Sequence, residues 1–424
     1  DGPLSVSYEV YAWDLSVRAA YLDTRRGYFN GPSVFLRVHG QEALPATLDV
    51  RPPPGREFAD WRVATSLPRA GAAAWGFGLY RAADYDELLD HPVEMGDFTL
   101  ASFEACGVPH HLVLSGRHHA DTERLCRDLR SVCEAQIRFF GEPAPMQHYL
   151  FLVAVVGDGY GGLEHRASTS LICSRGDLPL HGKPETGEDY RRFLGLCSHE
   201  YFHAWNVKRI KPLAFAPYDL GRENYTRLLW AFEGITSYYD DLFLLRTGLI
   251  SPADYLELLA QNMTRVLRGN GRLKQSVADS SFDAWIKFYR ADENAPNALV
   301  SYYAKGAMIA LALDLTLRRD SEGRHSLDDV MRALWQRYGQ SGEGVPEDGV
   351  ERMAAEVSGL DLRAFFERAL RETGDLPLPE LLAAFGVEMT LRPAESGQDK
   401  GGKPAGKSGE ELARRPTLGI RLDK

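Results

Sequence analysis

Two histidines four positions apart with a glutamate beside the first, His199-Glu200-Tyr201-Phe202-His203, restrict the backbone that can carry them. On an α-helix of about 3.6 residues per turn, positions four apart lie on one face, so both imidazoles can reach the same ion. Glu200 lies next to that face, within reach of a water held there. H-E-x-x-H on a helix is therefore a metal site with a base built into it. The flanking residues are helical in pattern: Thr186 with Asp189 predicts a start, Phe193, Leu194, Leu196 and Cys197 follow at helical spacing, and Pro212 predicts a stop beyond Ile210. The motif is expected in mid-helix.

A metal held in a folded chain needs a third protein ligand. In RENYTRLLWAFEGITSYYDDLFLLR the apolar residues Leu228, Leu229, Ala231, Phe232, Ile235, Tyr239 and Leu242 predict a largely buried helix, with Glu233 as the acidic residue in its middle. Burying an unpaired carboxylate costs several kcal/mol or forces protonation, and a divalent metal removes that cost. Two histidines and one glutamate leave a fourth zinc position for water, the catalytic arrangement. Asp240, seven residues on, shares the face of Glu233 and could orient a ligating histidine.

Four long segments, SHEYFHAWNVKRIKP, LLWAFEGITSYYDDL, GDGYGGLEHRAST and SSFDAWIKFYRADENAPNALVSYYAKG, together resemble the glycyl aminopeptidase family of gluzincin zinc metallopeptidases. The resemblance covers nearly the whole chain. It implies that His199, His203 and Glu233 bind Zn2+ and that Glu200 is the catalytic base. It also implies that Glu164, following Gly161 and Gly162, receives the substrate's free amino terminus, and that Tyr303 in Tyr303-Ala304-Lys305-Gly306 stabilises the tetrahedral intermediate.

The residues are compatible with those roles. Gly161 and Gly162 follow the apolar run Tyr149 to Val156 and are expected at a strand end, where bare backbone can approach a bound peptide. A carboxylate near zinc supplies a counter-charge for an ammonium, which an internal peptide bond lacks. A phenol donates to a developing oxyanion without bringing competing charge. Tyr302 is adjacent to Tyr303 and is expected to point elsewhere. His110-His111 and His118-His119 flank a short apolar run and read as ordinary polar strand ends.

The predicted fold class is α+β. A β-rich amino-terminal domain is expected over residues 1–148, with strands in LSVSYEVYAW, SVFLRVHG, ATLDV, WRVATSL and HHLVLSG and a helix in DTERLCRDLRSVCEAQIRFFG. Alternation in VSYEVYAW puts Val6, Tyr8, Val10 and Ala12 on one covered face. A thermolysin-like zinc catalytic region is expected over 149–250 and its helical part over 251–390. Residues 391–424 read as a glycine- and lysine-rich linker ending in LGIRLDK, which resembles the first strand of a truncated PDZ-like domain.

A net charge of -10 argues against nucleic acid as a partner, and no apolar run of 18 or more residues spans a membrane. Five cysteines with no C-x-x-C pair favour a reducing, cytoplasmic compartment. A periplasmic location stays open, because the chain begins at Asp1 without methionine. The resemblance implies a peptidase that prefers small amino-terminal residues, glycine or alanine, on peptides with a free amino terminus, with protein partners engaged through the PDZ-like domain. Two other readings remain at this point: a zinc endopeptidase of the same fold, and a PDZ-type interaction scaffold with a vestigial zinc site.

Overall fold

The computed structural model describes residues 2–403; the LGIRLDK strand expectation lies outside them. The architecture is mixed α+β, β-rich at the amino-terminal end and helical towards the other. The chain divides into two compact units that meet in sequence at Ala204 and Trp205.

The first unit is organised around β9 (Tyr149–Val156), whose sequence YLFLVAVV is apolar almost throughout. Such a run suits a strand covered on both faces, and β9 is the middle strand of a five-stranded sheet. It pairs in parallel with β8 (Val108–Ser115) on one side and with β11 (Ser168–Ser174) on the other. A parallel pair needs a crossover. The link from β8 to β9 is α2 (Thr122–Phe140), capped by Asp121, whose side chain accepts from the Arg124 amide, and burying Leu125, Leu129, Val132, Cys133 and Ile137. The outer strands are β7 (Thr99–Ala105), antiparallel to β8, and β10 (Tyr160–Glu164), antiparallel to β11.

A smaller antiparallel sheet precedes this one: β1 (Ala20–Leu22), β2 (Arg26–Phe29), β6 (Val93–Gly96) and β4 (Arg62–Ala64), in that order. A separate antiparallel pair is formed by β3 (Ala46–Val50) and β5 (Gly78–Ala82), with the short helix α1 (Tyr85–Leu89) after β5. Two strand expectations fail here. Residues 3–11 form no strand, and the backbone first meets β1 where the Ala12 carbonyl accepts from Leu22, so Val6 stays 62% exposed and Tyr8 and Val10 are exposed too. Of SVFLRVHG only Ser33 belongs to a 3-10 turn, Gly31–Ser33, and the rest is turn and coil. Alternation fits a strand, yet a strand also requires a neighbour to complete its ladder.

The first unit ends with α3 (Glu188–Phe202). The second contains α4 (Ile235–Arg246), α5 (Pro252–Arg268), α6 (Val277–Phe282), α7 (Ala295–Ala298), α8 (Ala304–Asp320), α9 (Leu327–Leu334) and α10 (Gly349–Ser358), then α11 (Arg363–Phe366) and α12 (Leu378–Ala383). Helix α5 starts with a reciprocal cap, Ser251 bonding the Asp254 amide while Asp254 bonds the Ser251 amide. Helix α8 is buried along nearly its whole length and is the core of this unit. All five cysteines are free thiols. No helix among the described residues is long and apolar enough to cross a membrane.

Candidate active site

Helix α3 carries the H-E-x-x-H run at its carboxyl end. The sequence placed the run in mid-helix after a start at Thr186. Instead Gly187 is the first flanking residue, with no side-chain cap, and the acidic Glu188 and Asp189 face the positive end of the helix dipole. The helix ends at Phe202. His203 follows in helical conformation, its amide still bonded to the His199 carbonyl at 3.3 Å. The four-residue register therefore survives, and the two imidazoles lie with ring centroids 4.6 Å apart. Pro212 stands well past the end, because the chain turns at once: Ala204 bonds back to Tyr201, and Ile210 to Trp205.

The buried side of α3 is fastened by polar bonds as well as packing. His110 is fully buried on β8, and its Nδ1 lies 2.8 Å from the Val108 carbonyl, which can only accept. The proton therefore sits on Nδ1, and Nε2 accepts from the Tyr201 hydroxyl at 2.9 Å. Burial pushes the His110 imidazole down to about 4, so it is neutral in this arrangement. Gln136 on α2 donates to the Ser198 carbonyl and hydroxyl at 3.0 and 2.9 Å. His110 is thus no ordinary strand end: it anchors the middle residue of the motif. His111 and His118 match that expectation better, bonding Ser102 and Thr99 at the surface.

Glu200 is buried. Facing it is β10, with Gly161 and Gly162 inside the strand and Glu164 at its end; the glycines do not terminate β9. Register pairs Gly161 with Ile172 and Gly162 with Leu171, so the two glycines present opposite faces. A β-carbon at Gly162 would overlap the Glu200 carboxylate, whereas one at Gly161 would meet nothing within 4 Å. Among the described residues β10 pairs with no strand on its other side. Glu164, Glu200 and His203 can each present a ligand atom within 4.8 Å of the others.

Beyond Glu164 the chain is tied to the smaller sheet's region. His165 Nε2 lies 3.2 Å from Asn30 Oδ1, and the Arg166 amide donates to Asp90 Oδ2 at 2.9 Å. The Arg166 guanidinium also pairs with Asp90 at 3.1 Å and with Asp86. These bonds set where β10 ends.

In the second unit Glu233 sits half-buried in a π-helical turn, Trp230–Gly234, that leads into α4. It precedes the regular helix rather than standing in its middle. The wide turn is stabilised by Asn206, whose Nδ2 lies 3.2 Å from the Ala231 carbonyl, 3.4 Å from that of Phe232 and 3.1 Å from Thr236 Oγ1. The Trp230 amide donates to Ser281 Oγ at 3.0 Å. Gly234 packs against Gly306 of α8 so closely that neither could carry a β-carbon without displacement. π-turns inside helices occur frequently at functional sites. Asp240 lies on α4, half-buried, with Oδ1 accepting from the Asp241 amide at 2.6 Å.

Tyr303 flanks the amino end of α8. Burial pushes its hydroxyl well above the usual phenol range, and the negative charge of Glu233 adds to that. Tyr302 does not diverge from it as expected: the rings stack at 4.8 Å and 28°. Both hydroxyls approach that of Tyr289. The sequence does not single out Asn206, Gln136 or Tyr289, although Asn206 and Tyr289 lie within the segments that carry the family resemblance.

The comparisons agree with that resemblance. The profile of the M61 glycyl aminopeptidase family matches residues 192–309, and that of the peptidase M61 N-terminal domain matches residues 1–97. Among solved structures, an aminopeptidase N family protein from Idiomarina loihiensis is 49% identical, with a TM-score of 0.91 over 94% of this chain and 67% of that one. No curated protein matches.

Proposed function

The chain belongs to the M61 glycyl aminopeptidase family and is a peptidase; from that premise we propose a zinc-dependent aminopeptidase that removes small residues, glycine or alanine, from peptides with a free amino terminus. His199 and His203 supply two imidazoles and Glu233 one carboxylate, a donor set suited to zinc. When bound, zinc supplies a Lewis acid that polarises the scissile carbonyl and makes water a nucleophile near neutral pH.

The protein's own groups do the rest. Glu200 takes a proton from the attacking water and returns it to the leaving amine. Tyr303 donates a hydrogen bond to the developing oxyanion. Glu164 holds the substrate's ammonium, while the bare backbone of Gly161 and Gly162 lets the peptide lie alongside β10. Asp240 is assigned to orienting a ligand.

The observation that carries the aminopeptidase reading is the second carboxylate beside the base, Glu164 with Glu200. Hydrolysis itself needs one base. A further carboxylate at the end of an edge strand is suited to a positive charge on the substrate, and an endopeptidase's substrate has none there. Were Glu164, Glu200 and His203 to hold the ion instead, the base would be consumed as a ligand.

Metal analysis of the purified chain is expected to find one zinc, retained in Glu200→Gln, whose turnover collapses. Glycyl and alanyl amides with a free amine are expected to be cleaved and their amino-blocked counterparts left intact; Glu164→Ala is expected to erase that distinction. Equal cleavage of blocked peptides would make the enzyme an endopeptidase. Preference for bulky residues in a matched amide series would remove the small-residue assignment.

A further inference from the structure

Three phenols meet in the second unit. The Tyr302 hydroxyl donates to that of Tyr289 at 3.3 Å, and the hydroxyls of Tyr289 and Tyr303 lie 2.9 Å apart. Phe288 packs on both Tyr302 and Tyr303, with ring centroids 4.8 and 5.8 Å away, and fixes their planes. Each phenol has one proton to give. Tyr302, 1% exposed, gives its proton to Tyr289. Between Tyr289 and Tyr303 either hydroxyl can be the donor.

We propose that Tyr289 is a positioning residue for catalysis: its hydroxyl, bonded to those of Tyr302 and Tyr303, holds the Tyr303 phenol where it meets the oxyanion. This deepens the assignment of Tyr303 as oxyanion donor and rests on it. Hydrogen bonds that share a hydroxyl in this way polarise one another. Tyr289 is 50% exposed and stands on the short turn Phe288–Arg290, a poor place for a residue whose purpose is core packing.

The test compares Y289F, Y303F and the double variant in the full chain with its metal. Y289F keeps the ring and loses only the hydroxyl. The expected result is kcat about tenfold lower with KM within about twofold, and unchanged zinc content and Tm. The double variant is expected to be no slower than Y303F alone, because Tyr289 acts through Tyr303. Wild-type kcat in Y289F, or losses that multiply in the double variant, would overturn the proposal. Slow Y303F with normal Y289F removes this inference alone, whereas normal Y303F removes the oxyanion assignment as well.

Discussion

A β-carbon added to Gly162 would overlap the Oε1 of Glu200. Strand and helix approach so closely at this point that hydrogen is the only side chain that leaves the carboxylate where it is. Gly162→Ala is therefore expected to move the base. A misplacement of about 1 Å can cost on the order of a hundredfold in rate, and a kcat loss of that order with zinc retained is expected. Gly161→Ala, which meets nothing within 4 Å, is expected to lose much less. Kinetics with metal analysis on both variants check this.

Asn206 makes a prediction about hydrogen-bond direction. Its amide nitrogen faces two carbonyls and a threonine hydroxyl. Asn206→Asp turns a donor into an acceptor against those carbonyls and is expected to be worse than Asn206→Ala, although it is nearly isosteric. Groups that orient a metal ligand typically change affinity about 10- to 100-fold when removed. Zinc titration of the two variants should show weaker binding in that order.

Asp90 is expected to matter for substrate recognition from outside the site. It pairs with Arg166, two residues after Glu164, through both the amide and the guanidinium. Asp90→Ala strands a partly buried arginine, at a cost of about 2 kcal/mol given its remaining exposure and its bond to Asp86. The end of β10 then loosens. KM for free-amino substrates should rise more than kcat falls, with lower Tm by calorimetry.

Acid sensitivity follows from two buried imidazoles. Burial pushes His91 and His110 each down to about 4, from an ordinary value near 6.5. The unfolded chain binds their protons first as pH falls, so stability is intact above about 6.5 and is lost progressively towards about 4. Each can contribute on the order of 3 kcal/mol at most. Urea melts between pH 7 and 4 should show this decline, and replacing His110 with a neutral, non-titrating residue should flatten the slope.

Much of this was legible in the chain. The helix-forming pattern around Phe193 to Cys197, the continuous apolar run of β9 and the amphipathic α2 all report local forces that act wherever the segment goes. The edge strand at Gly161 and Gly162 was misplaced by one element, because a strand end and a new strand share the same turn residues. The helix end at Phe202 was missed because no breaker stands there; the turn is made by backbone bonds from Ala204 and Ile210. Residues 3–11 have the period of a strand but form none. The roles of His110 and Asn206 are not legible in the sequence for a different reason: each works through a residue distant in sequence, Tyr201 or the Ala231 carbonyl.

The ties from Asn30, Asp86 and Asp90 to His165 and Arg166 have a consequence for how relatives can diverge. Mutational drift in the amino-terminal sheet region reaches the strand end that carries Glu164 without touching the H-E-x-x-H helix. A lineage that replaces Arg166 must rework Asp86 and Asp90 in step, so those three positions are expected to change together. Swapping the amino-terminal region between relatives would then graft one protein's preference for the substrate's end onto another's hydrolytic chemistry.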